Sequence, residues 1–127
     1  ELLLYQNKTE QALAEIAKML EKYPGHDLTD DLLYLEATIR KKSGEFSVAA
    51  GLLKKISEEY AGGLLGAKSF YEQAVITQDY LNNKEEALQL YTEFLKKYPG
   101  SIYTADARKR LRMIRGDSNF IEQPEVN

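Results

Sequence analysis

Apolar positions recur along this chain with helical spacing in three related stretches, KTEQALAEIAKMLEKYPG at 8–25, EFSVAAGLLKKISEEYAG at 45–62 and KEEALQLYTEFLKKYPG at 84–100. Aligned on Ala12, Ala49 and Ala87, they repeat every 37 and then 38 residues, and Tyr23, Tyr60 and Tyr98 keep the same intervals. Three further columns agree: Ile16, Leu53 and Tyr91; Met19, Ile56 and Phe94; Leu20, Ser57 and Leu95. Offsets of i, i+4, i+7 and i+8 draw one apolar stripe down an α-helix. A fixed period of this size marks a solenoid, in which no unit buries its apolar face alone and stacking completes the core.

A second helix precedes each later repeat, DDLLYLEATIRKKS at 30–43 and GAKSFYEQAVITQDYLN at 66–82, so the unit is a helical hairpin. The inner turns read Ser43-Gly44-Glu45-Phe46 and Asn82-Asn83-Lys84, residues that accept left-handed backbone or stop a helix. The outer turns carry Tyr23-Pro24-Gly25 and Tyr98-Pro99-Gly100, where proline removes a donor and glycine permits positive φ. The middle unit has Tyr60-Ala61-Gly62-Gly63 instead, which predicts a softer turn.

A small residue, an aromatic four on, an apolar residue at seven and proline at twelve, as in Ala87, Tyr91, Phe94 and Pro99, resembles the second helix of a tetratricopeptide repeat. Ala12, Ile16, Met19 and Pro24 repeat the pattern. In the first helix the family's large and small positions match at Leu33 and Ala37, and at Phe70 and Ala74; Glu36, Arg40, Gln73 and Thr77 depart from its apolar and aromatic positions. The unit exceeds the usual 34 residues, and its loops, LKKYPGSIYTADARKRL at 95–111 above all, resemble extracytoplasmic bacterial repeat proteins such as outer-membrane assembly lipoproteins and Tol-Pal-associated periplasmic proteins. The resemblance implies an all-α solenoid of antiparallel hairpins, of about two and a half repeats, and a periplasmic or outer-membrane-associated location. Hairpins are expected at about 1–25, 29–62 and 64–100, a capping helix at about 101–115 and a disordered tail at 117–127.

The opening Glu1-Leu2-Leu3-Leu4-Tyr5 reads as the last turns of a helix whose start is missing, which makes the chain a fragment of a longer array. Such a truncation would leave the helix at 8–23 partly uncovered and open to pairing with a second copy. Ser101 is expected to cap the last helix and Gly116 to stop it, with Ile102, Ala105, Leu111 and Ile114 against the preceding hairpin.

Composition narrows the chemistry. The 127 residues are 43% hydrophobic and 29% charged, as in an ordinary globular domain, and no window resembles a membrane span. Absence of cysteine excludes disulfides, thiol catalysis and cysteine zinc sites. The single histidine, His26, has only Asp27, Asp30 and Asp31 nearby; a helix start with Thr29 or Asp27 as cap explains that cluster better than a metal or acid–base site. No phosphate loop or nucleophile motif occurs, so no catalytic, cofactor or metal residue is assigned. The basic run from Arg108 to Arg115 suggests nucleic acid, but a net charge of −3 and a lack of interleaved aromatics favour a solvated helix face.

What remains is binding. By the family resemblance the groove-facing positions fall on Asp31, Tyr34, Thr38 and Lys41, then on Lys68, Tyr71, Val75 and Gln78. Tyr34 and Tyr71 are equivalent, and each suits either a partner anchor or a helix interface. The family's lysine and asparagine clamp for a terminal carboxylate is absent, since those positions hold Tyr34, Thr38, Glu72 or Val75. The expected function is a scaffold that docks a peptide or helix of a protein partner; the alternative is a structural spacer or self-assembly module in a longer envelope protein.

Overall fold

The structure is a computed structural model and describes residues 2–22 and 28–116. Six helices follow one another, α1 (Leu2–Lys22), α2 (Thr29–Lys42), α3 (Phe46–Glu59), α4 (Gly66–Asp79), α5 (Lys84–Lys97) and α6 (Thr104–Arg115), with no strand among the described residues. Each packs chiefly on its neighbours in sequence, most extensively α3 with α4 and α2 with α3, and least α1 with α2. This is the expected all-α solenoid.

The repeat columns explain the packing. Ala49 and Ala87 are fully buried, as are Ile56, Tyr91 and Phe94, with Leu53 nearly so. A methyl side chain at the alanine column lets paired helices approach closely, and the larger residues one and two turns on fill the space beside it. Two cores result. One joins Leu33 and Ala37 of α2 to Ala49, Leu53 and Ile56 of α3 and Ile76 of α4. The other joins Phe70 and Ala74 of α4 to Ala87, Tyr91 and Phe94 of α5 and Ala107 and Leu111 of α6. The first repeat is less covered: Ile16 is buried, but Met19 is 41% exposed, because α1 meets little besides α2.

Backbone conformation at the inner turns follows the turn residues, with Gly44 at φ 84° and Asn82 at φ 53°. Asn83 caps α5 by accepting the Glu86 amide at 3.1 Å. At the outer edge Gly66 opens α4 against the Ala61 carbonyl; a Cβ there would lie 2.8 Å from the Ala61 carbonyl carbon. The Tyr98 hydroxyl donates to that same Ala61 carbonyl oxygen at 3.1 Å, tying consecutive outer turns together.

Three sequence expectations are corrected. Residues 2–22 form one uninterrupted helix where a helix end and a new start were expected, since Gln6-Asn7-Lys8-Thr9 contains neither proline nor glycine to break it. Thr29 is not a cap: Leu28 holds that position without a side-chain hydrogen bond, and Thr29 is buried in the first turn. Ser101 does not begin α6, which starts at Thr104; the Ser101 hydroxyl instead accepts the Tyr103 amide at 3.1 Å. Consequently Ile102 stands in the turn, 87% exposed, Ala105 is exposed, and Ala107 packs with Leu111 and Ile114. Gly116 does terminate the helix. The turn at 23–27, with His26 and Asp27, and the segment 117–127 lie outside the described residues.

Candidate protein-docking groove

Because α2 and α4 are first helices of adjacent hairpins, a groove runs between them with α3 as its floor. It holds a cavity of about 400 Å³. From α2 come Tyr34, Ala37, Thr38, Lys41 and Lys42; Phe46 and Leu53 of α3, Glu72 and Ile76 of α4, and Tyr80 just past α4 complete the lining.

The two ends are braced differently. At one, the Tyr34 hydroxyl donates to the Glu72 carboxylate, 2.8 Å from each oxygen, and the Lys68 ammonium lies 4.9 Å from the Tyr34 ring centre. Burial, followed by the hydrogen bond to Glu72 and its charge, pushes the Tyr34 phenol well above its ordinary pKa, so it stays a donor at any physiological pH. At the other end Phe46 stacks on Tyr80 at 4.2 Å and Lys41 sits 5.9 Å over the Tyr80 ring. The Thr38 hydroxyl donates to the Tyr34 carbonyl oxygen at 3.0 Å.

Of the eight sequence-predicted groove residues, the structure gathers Tyr34, Thr38 and Lys41 in this cavity. Asp31 is exposed one turn before Tyr34, and Lys68 is half-buried over the Tyr34 ring. The other three engage the second core. Tyr71 stacks on Tyr103 at 4.9 Å and tilts against Tyr91 and Phe94; Val75 packs against the same cluster. Gln78 accepts the Tyr91 hydroxyl at 2.8 Å and an Arg110 NH at 3.0 Å.

Arg110 also reaches Asp79 at 3.3 Å and Asp106 at 3.1 Å, so within the basic run this residue ties α6 to the end of α4, whereas Arg108, Lys109 and Arg115 are exposed. Sequence reasoning missed Phe46, Glu72 and Tyr80 as groove residues. Their signal was the register of the inner turns, because Phe46 opens one hairpin's second helix and Tyr80 closes the next hairpin's first.

The described residues hold no group of three or more His, Asp or Glu side chains placed to bind a metal ion. No described helix is long and apolar enough to cross a membrane. The groove offers shape, aromatic surface and ammonium groups.

Against known families, a model named YfiO and described as an outer membrane lipoprotein matches residues 3–118. The chain belongs to this family. Membership bears out the resemblance to the extracytoplasmic repeat proteins and gives the YfiO-type array an outer-membrane-associated location. A comparison with curated protein sequences returns no match.

Proposed function

We propose that this YfiO-type array is a non-catalytic docking module that holds a segment of a protein partner in the groove between α2 and α4, at the outer membrane. The observation that carries the reading is the cavity's lining: the rings of Tyr34, Phe46 and Tyr80 and the aliphatic groups of Ala37, Leu53 and Ile76 border some 400 Å³ of open space between two first helices. A cavity of this size, walled by apolar and aromatic groups with a few polar ones, suits an inserted side chain. Family membership supports the setting, since the matching family is one of outer membrane lipoproteins.

A photo-crosslinking side chain at Thr38, inside the groove, and another at Gln89, exposed on α5, separate this from a spacer role. A discrete protein adduct from Thr38 and not from Gln89, in cells of the source organism, is the expected result. Equal labelling from both positions, or none from either, would favour the array as a spacer.

A further inference from the structure

The groove's charge is at odds with the chain's. The protein carries a net charge of −3, yet Lys41, Lys42 and Lys68 all stand at this one cavity or on its Tyr34 wall. None of the three is ion-paired among the described residues, in contrast to Arg40, which binds Glu36 and Glu45, and Arg110, which binds Asp79 and Asp106. Lys41 and Lys68 instead lie over aromatic rings that form the walls. Glu72 is the carboxylate facing the same space, and both its oxygens accept the Tyr34 hydroxyl.

Resting on the docking reading above, we propose that the α2–α4 groove selects an internal acidic segment of a partner protein, with one apolar side chain in the cavity and side-chain carboxylates toward the lysines. Geometry fixes the spacing. Tyr34, beneath Lys68, and Lys41 are seven residues apart on α2, about 10 Å at 1.5 Å per residue. An extended segment covers that in about three residues, so carboxylates on either side of one apolar residue span the distance between the two cations. A terminal carboxylate would meet one end only. Ala37, Leu53 and Ile76 receive the apolar group, and the Phe46–Tyr80 stack closes the Lys41 end. Because Glu72 repels anions at the Tyr34 end, Lys41 and Lys42 carry more of the selectivity than Lys68.

Fluorescence anisotropy with a short labelled peptide, amidated at its carboxyl terminus and carrying a leucine between two aspartates in a glycine–serine background, tests this. The expected result is saturable binding that weakens steeply with salt, drops at least tenfold in the Lys41→Glu, Lys42→Glu double variant, and is unchanged in Lys55→Glu, whose side chain is exposed on α3 outside the cavity. Replacing the peptide's aspartates by lysine should abolish binding, and replacing its leucine by alanine should weaken it. Equal affinity for the acidic and basic peptides, or an unchanged Lys41→Glu, Lys42→Glu variant with native circular dichroism, would overturn the proposal. If the Thr38 crosslink forms but excess acidic peptide does not suppress it, the groove reading stands and the acidic selectivity falls. If neither crosslink nor peptide binding appears, both fall.

Discussion

Tyr34 and Tyr71 occupy the same place in successive repeats and each packs against its own core, yet one also borders an open groove and the other lies under a stacked ring. The neighbouring helix decides this. Beside Tyr34 the α2–α4 junction has Leu53 of α3 as its floor and Ala37 and Ile76 on its walls, and space remains. Beside Tyr71 the α4–α6 junction has Tyr103 stacked on it and Tyr91 and Phe94 beneath, so the ring is held on two sides. Equivalent positions in a repeat therefore specify helix pairing, whereas the non-repeating aromatics decide which junction stays open.

The largest test removes the filling of the closed junction. Phe94 is fully buried and touches the rings of Phe70, Tyr71 and Tyr98. Phe94→Ala should cost about 3–5 kcal/mol, the range for an aromatic deleted from a packed core. Urea unfolding should show it as a lowered midpoint, and a cost under about 1 kcal/mol would mean that this junction is not closed. Next comes overpacking. Ala87 has no exposed surface, so Ala87→Leu should cost about 1–3 kcal/mol; a thermal melt unchanged from the parent would contradict the close approach of α5 to its partners.

Much of this was legible in the sequence, and the boundary is physical. The alanine column and the apolar columns beside it report contacts within a hairpin and between consecutive helices, and Ala49, Ala87, Leu53, Tyr91, Ile56 and Phe94 are buried as their periodicity required. The groove was half legible. The family resemblance implied Tyr34, Thr38 and Lys41 there, but Phe46 meets Tyr80 and Tyr34 meets Glu72 only through the stacking of separate hairpins. The closure over Tyr71 depends on Tyr103, and Tyr103 is where it is because α6 starts at Thr104 and not at Ser101. Hydroxyl-bearing residues clustered before a helix offer several competing start points, and side-chain packing chose among them.

Alkaline titration sharpens the comparison further. Burial pushes the Tyr91 phenol up to about 12, with the Arg110 charge working against the shift. The unfolded chain releases this proton near pH 10 while the native state keeps it. The unfolded state then binds fewer protons, so stability is fully present below pH 10 and falls as pH rises toward 12. Tyr91→Phe should flatten that decline in urea midpoints measured across the alkaline range. An unaltered slope would show that the closed junction does not hold the phenol neutral.

The smallest expected effect isolates the two equivalent tyrosines from each other. Tyr34→Phe removes the hydroxyl that donates to Glu72 and leaves that carboxylate beside the cavity without its donor, a loss on the order of 1 kcal/mol. Tyr71→Phe keeps the stacked ring and its contacts with Tyr91, Phe94 and Tyr103, so stability should stay within about 0.5 kcal/mol of the parent. Tyr34 then differs from Tyr71 by its polar tip as well as by the surroundings of its ring. The reverse order in paired thermal melts would mean that the hydroxyl matters most where the junction is closed, and the contrast between open and closed repeats would have to rest on the rings alone.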